Sequence, residues 1–451
     1  MDKKNQNQKG QGWAFLPIIA FVIIYMGAGI IYQIQGVEFA FYQFPSFGAM
    51  FIAVVIAFLF GKERLDDKFS IFARGIGNEG VITMLMIYIL AGAFSGVTMS
   101  MGGRDAAVNM GLSFIPVQFL AVGVFVIAAF MGTAAGTSIG TISAIAPVAI
   151  GIADKGGLNV AIIVGACVGG AMFGDNLSMI SDTTIAATST QGVGLKDKFK
   201  VNLMIALPAA VSTIILLLIF GRPETVVPID NLNFEFIKVL PYIIVFVLAI
   251  IGIHVFVVLV TGILSAVLIG VATGTFSVAA AATAMYSGVT GMDEIFYLTM
   301  IMAGVAALIQ SRGGITILLE KLSSVVKGAK SAQLIIAVLV SVLDVVTATN
   351  TVAIILSGDL AKNISHKYKV DPRRTASLLD IFSCVFQGLL PYSGQLLIST
   401  SFAIAAGHSV NAISFMPYVW YSYLLGLFGI LSVFVPFADG AIRKRPWNWV
   451  E

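Results

Sequence analysis

From Trp13 onward the chain is a succession of apolar runs, several of them about twenty residues long, separated by short segments that hold most of its Lys and Arg. A helix needs about 20 mainly apolar residues to cross the hydrocarbon of a bilayer. Backbone groups find no water there, so each run is confined to helix, with its N–H and C=O groups paired inside the segment. At 58% hydrophobic and 11% charged residues, almost nothing is left for a soluble domain. The expected class is therefore an all-α polytopic membrane protein. A formal net charge of +3 carries no nucleic-acid footprint.

Ten spans are expected, near 13–32, 45–60, 81–101, 158–190, 201–220, 237–253, 254–272, 292–311, 375–406 and 412–438. The first of these is too long for a secretory signal and lacks a small-residue cleavage site. Two apolar segments, 114–153 and 331–361, are left over. The second is preceded by Arg312, Lys321, Lys327 and Lys330 and followed by Lys362, Lys367, Lys369, Arg373 and Arg374. Basic residues collect on the cytoplasmic side, so this segment begins and ends on one face, as a re-entrant hairpin does. Its 31 residues are also too few for two crossings of about 20 each. The first leftover, flanked by Arg104, Asp105, Asp154 and Lys155, is read as a hairpin entering from the opposite face.

With that count the basic segments 62–74, 196–200, 312–330, 362–374 and 443–445 all fall inside, together with the tails 1–12 and 439–451. The stretches 33–44 and 221–236 fall outside. The location implied is a bacterial-type inner cell membrane, with both termini cytoplasmic.

The chain also repeats itself. TSIGTISAI (137–145) aligns with TATNTVAII (347–355) at an offset of 210, and LSMIS (177–181) meets QLLIS (395–399) at 218. Two units are expected, 13–220 with hairpin 114–153 and interrupted helix 158–190, and 237–438 with hairpin 331–361 and interrupted helix 375–406, joined by an external linker 221–236. Each unit crosses an odd number of times, so the second is inverted relative to the first. That is the plan of secondary transporters, whose paired interrupted helices mark the binding site.

Within FGDNLSMISDTTIAAT (173–188) the expected break brings Asp175, Asn176, Ser178, Ser181, Asp182 and Thr183 to membrane depth. Intramembrane carboxylates are usually functional. Gly174 is read as the breaker and Asp182 as a cap for the returning half, accepting from Thr184 or Ile185. Freed carbonyls, hydroxyls and carboxylates are hard oxygen ligands of the kind Na⁺ takes, so Na⁺ is the expected ion, with no cofactor and no soft metal. A carboxylate that takes either H⁺ or Na⁺ is a minimal exchanger.

The second break, QGLLPYSGQLLIST (387–400), has Pro391 and Gly394 as breakers and offers only neutral groups, Gln387, Tyr392, Ser393 and Gln395, suited to an organic substrate. The hairpin tips offer Thr137, Ser138 and Thr141 in the first and Thr349, Asn350 and Thr351 in the second. Asn350 can equally ligate an ion or cap its helix. Asp344, inside a hairpin arm, and Asp380, read as opening a helix after a basic loop, are candidates for a proton role. No Lys or Arg lies in either tip or break, so an anionic solute would rest on half-helix N-termini alone. Gly136 and Gly140 read as close packing, His254, His366 and His408 as structural or loop residues, and Cys167 and Cys384 as small core residues.

GDNLSMISDTT (174–184) resembles the signature of the NhaC-type sodium/proton antiporter family, and TNTVA (349–353) is similar to the tip motif of dicarboxylate transporters in the same superfamily. The resemblance runs over most of the chain after the second span. It departs at Met179, where antiporter members usually carry Pro, and that leaves the solute open. It implies a Na⁺-coupled carrier, a homodimer, and an elevator-like shift. Na⁺/H⁺ exchange is the first reading; Na⁺- or H⁺-coupled movement of an amino acid or small organic acid is the second. A channel shares the broken helices. An intramembrane enzyme does not fit, since HExxH is absent and Met172 breaks the GxGD pattern.

Overall fold

In the computed structural model the apolar runs become helices whose ends are set by local chemistry. It describes residues 12–449 apart from 36, 38–42, 45, 224–231, 315–316, 318–320 and 323. Most of the tail 1–12, the end of the tail 439–451 and the middle of the linker 221–236 thus lie outside the described residues. Among the described residues nine helices are long and apolar enough to cross a membrane, ten if one bent pair counts as a single span.

The first half runs α1 (Leu16–Ile34), α2 (Ser46–Leu59), α3 (Leu65–Ile76), α4 (Glu79–Ser100) and α5 (Gly103–Phe114). A helical hairpin follows, α6 (Leu120–Ala135) and α7 (Ser138–Gly156), then the interrupted pair α8 (Val160–Leu177) and α9 (Asp182–Gln191), and α10 (Leu195–Phe220) closes the half. The second half repeats the order: α11 (Phe236–Ile250), α12 (Val255–Ala272), α13 (Val278–Thr290) and α14 (Asp293–Ser311). Then come the hairpin α15 (Ala329–Thr347) and α16 (Asn350–Lys367), the interrupted pair α17 (Pro372–Gln387) and α18 (Gly394–Ala405), and the closing α19 (Trp420–Phe434). Packing between the halves is reciprocal: α13 lies on α4 and α3 on α14, while α16 lies on α9 and α7 on α18.

Several boundaries differ from the sequence reading. The segment 62–74, expected to be a connection, contains α3, whose acidic first turn and basic last turn suit the helix dipole. The expected closing span 412–438 bends by 52° between a short turn at Ala412–Tyr418 and α19. The second hairpin is longer than 331–361, with arms of 19 and 18 residues, because α16 continues through a polar stretch to Lys367 that a hydropathy window cuts off. The shortage of residues that argued against two crossings is therefore not real.

The repeat is also out of register by two at the tips. Gly136 and Ala348 are the left-handed residues that end α6 and α15, with φ of +67° and +52°. Thr137 and Thr349 then stand as N-caps. Thr137 therefore corresponds to Thr349 and not to Thr347.

Gly174 does not break α8. The helix continues through it to Leu177, and the interruption is Ser178 to Ser181. Gly174 is instead where α8 crosses α6: a Cβ there would lie 2.5 Å from the Thr133 nitrogen and 2.6 Å from the Ala129 carbonyl oxygen. Small residues let two backbones approach closely where lipid supplies no hydrophobic drive. In the second break Pro391 lies in the interruption, whereas Gly394 is the first residue of α18, behind the cap formed by Ser393.

Candidate functional site

The two interruptions and the two hairpin turns meet, and hydrogen bonds join all four. Asp175, in the last turn of α8 and 3% exposed, is the junction. Its Oδ2 accepts from Ser138 Oγ at 2.8 Å and from the Ser138 N–H at 3.3 Å, both at the first hairpin's turn. Its Oδ1 accepts from Ser181 Oγ at 2.5 Å, across the interruption. Ser181 Oγ lies 2.8 Å from Thr183 Oγ1. From Ser138 the chain of bonds runs into the second half: Gln395 Nε2 donates to Ser138 Oγ (3.0 Å), and Gln387 Nε2 donates to Gln395 Oε1 (3.0 Å) and to the Ala348 carbonyl (3.1 Å). Helix α8 thus reaches the second hairpin's turn through one serine and two amides.

A second buried group lies next to it. Asp380 Oδ2 accepts from Lys198 Nζ at 2.5 Å, Asn202 Nδ2 at 2.7 Å and Asn176 Nδ2 at 2.9 Å. Lys198 also donates to the Asn176 carbonyl at 2.8 Å and to Thr184 Oγ1 at 2.7 Å. Its side chain is 1% exposed and that of Asp380 0%. Such a pair persists in a low dielectric only when hydrogen bonds satisfy the remaining donors, and here all three ammonium hydrogens have acceptors. Asp380 does not open a helix; Asp371 caps α17, and Asp380 stands in its interior.

Asp182 departs from its expected role. Ser181 is the N-cap of α9 and Asp182 the residue after it, so its Oδ1 accepts from the adjacent Thr183 N–H at 3.0 Å instead of Thr184 or Ile185. Its Oδ2 accepts from Thr351 Oγ1 of the second hairpin at 2.6 Å, and the residue is exposed.

Other candidates make local hydrogen bonds. Ser178 Oγ accepts from the Ile180 N–H within the interruption. Thr137 caps α7, Thr141 donates to the Thr137 carbonyl, and Thr349 donates to the Thr347 carbonyl. Asn350, the first residue of α16, accepts from the Thr351 N–H on its Oδ1 at 3.0 Å. Ser393 caps α18. Tyr392 donates to the Val345 carbonyl at 2.8 Å and meets Phe21 edge-on. Asp344 is fully buried in α15 with neither carboxyl oxygen partnered among the described residues.

Lys198 and Asn202 were missed because 196–200 reads as a basic connection outside the membrane. It is the first turn of α10, and the ammonium turns inward. The available signal was the spacing: Lys198 and Asn202 stand four apart on a helix, hence on one face, at the head of an otherwise apolar run.

Hairpins and interrupted helices that meet at buried ionisable groups, in a polytopic helical chain, define a secondary active transporter. The family model described as the Na⁺/H⁺ antiporter family matches residues 11–222 and 224–436. The chain belongs to that family, one of antiporters and not of enzymes. It is 26% identical to the Na⁺/H⁺ antiporter NhaC of Alkalihalophilus pseudofirmus, over 87% of this chain and 92% of the relative. It is 22% identical to the malate-2H⁺/Na⁺-lactate antiporter of Bacillus subtilis, over 91% and 93%. Among solved structures it is similar to the YdaH transporter of Alcanivorax borkumensis, at 14% identity and a TM-score of 0.43, covering 82% of this chain and 88% of that one.

Proposed function

We propose that Asp175 is the group that takes Na⁺ and H⁺ in turn, and that this alternation is the exchange. The observation that carries the reading is the position of the carboxylate, closed from solvent and hydrogen-bonded to the first hairpin's turn on one oxygen and across its own interruption on the other. In the Na⁺ form, Asp175 with the hydroxyl oxygens of Ser138, Ser181 and Thr183 supplies hard ligands; the hydroxyls rotate so that lone pairs face the ion. In the H⁺ form the proton sits on the carboxyl group.

Coupling follows from electrostatics. An ionised Asp175 with neither partner is an uncompensated charge in a water-poor site, which costs several kcal/mol. The carrier therefore changes sides loaded, with H⁺ one way and Na⁺ the other. Asp182, exposed, and Thr351, half-buried, are bonded to each other and mark where the first interruption and the second hairpin part to open the site. The two halves are read as an inverted duplication, with the Lys- and Arg-rich segments and both termini cytoplasmic, and the assembly as a homodimer in the cell membrane.

A Na⁺ pulse onto proteoliposomes loaded with a pH dye tests this. A pH change without organic solute, lost in Asp175→Asn, supports the exchange; a wild-type protein silent until malate or lactate is added refutes it. The organic-acid reading has the malate/lactate relative behind it. Against it, Gln387 and Gln395 are engaged with each other, and the Lys198 ammonium has no hydrogen left for a solute carboxylate.

A further inference from the structure

We propose that Asp380, the Asn176 carbonyl and Thr184 Oγ1 form a second monovalent-cation site, held in this chain by the tethered ammonium of Lys198. The inference rests on the Asp175 reading for the identity of the mobile ion. Carboxylate, carbonyl and hydroxyl at 2.5, 2.8 and 2.7 Å from one ammonium are the donor types a hard monovalent cation takes. The carbonyl is available because the helix stops: Ile180, whose N–H would pair with Asn176 in a continuing helix, bonds Ser178 Oγ instead. Asp380 Oδ1 is buried with no partner among the described residues, so the set holds one oxygen more than the ammonium uses.

The site adjoins the first, since Asn176 follows Asp175 directly and bonds Asp380 through its amide. A second buried carboxylate so close would otherwise need a mobile cation of its own whenever the carrier moves. Lys198 supplies that charge permanently and cannot leave. Asp380 is thereby withdrawn from exchange, and one mobile Na⁺ serves each protomer.

Equilibrium binding of radioactive Na⁺ to the purified full chain tests the assignment. The wild type is expected to bind one Na⁺ per protomer, Lys198→Gln two, and the double variant Lys198→Gln/Asp380→Asn one again. Asp175→Asn is expected to bind none, and Asp175→Asn combined with Lys198→Gln to bind one, now at Asp380. A folded Lys198→Gln protein that binds a single Na⁺ overturns the proposal. Retention of Na⁺ by Asp175→Asn alone would instead strike the Asp175 reading, while the gain of one ion on removing Lys198 would still report the second site. If Lys198→Gln loses its fold in choline chloride, NaCl is expected to restore its melting transition to that of the doubly neutral variant. Failure of NaCl to do so, with the double variant folded, also overturns it.

Discussion

The two interrupted helices share a backbone plan and differ in chemistry. Ser178 to Ser181 in the first half and Gly388 to Ser393 in the second both end one helix and begin another with a serine at the N-cap. Around the first stand Asp175, Asn176, Ser181 and the inward-turned Lys198; the second offers the amides Gln387 and Gln395. Backbone accounting requires polar company at both, because freed N–H and C=O groups cannot face lipid. Only ion handling requires charge. Under the proposed exchange at Asp175, the second interruption works as a support, holding Ser138 against Asp175 through two amides, while the first carries the cation.

The most severe way to break that comparison is Asp175→Asn, expected to lower Na⁺-dependent exchange at least about 100-fold in proteoliposomes, as loss of a group essential to one step does. Near-normal exchange would move the cation elsewhere. The pH dependence sharpens it next. If H⁺ and Na⁺ compete for one carboxylate, protonation removes the Na⁺ form, so apparent Na⁺ affinity falls as pH falls. The expected limit is about tenfold per pH unit, read from Na⁺ titrations at several pH values. An affinity independent of pH would separate the two ions' sites.

Gln395→Ala removes the amide between Gln387 and Ser138, leaving polar groups of both unpaired. A loss of roughly 1–1.5 kcal/mol is expected, close to tenfold in Na⁺ affinity. Tyr392→Phe, in the same interruption but bonded to Val345, should leave that affinity unchanged. Equal effects from the two would contradict the support role.

The smallest effect compares the hairpin turns. Both use a left-handed residue, glycine at 136 and alanine at 348. Gly136→Ala should destabilise by about 1–2 kcal/mol, since the new Cβ takes a strained conformation and meets Ile180 Cγ1 at 2.8 Å. Ala348→Gly should be neutral or raise stability by about 0.5 kcal/mol, with relief of strain partly offset by the freedom glycine gains in the unfolded chain. Thermal melting in detergent reads both. A turn indifferent to Gly136→Ala would mean that the first hairpin relaxes freely.

Sequence alone determined most of the long apolar helices, the interruption of one helix in each half, and the pairing of each with a hairpin. Hydropathy and Pro, Gly and hydroxyl content suffice for this, because in lipid each backbone group must be paired within its own segment or lie beside protein. It also picked out Asp175 and Ser181, which sit within six residues of each other. Tertiary structure decided the rest. Gly174 became a crossing point because α6 happens to lie over it, and Asp182 turned to Thr351 while Asn176 turned to Asp380, 204 residues away. Lys198 gave up a place at the membrane surface for three buried oxygens. A side chain's partner across such distances depends on which helix faces fold together, and periodicity along one chain records the faces without recording what they meet.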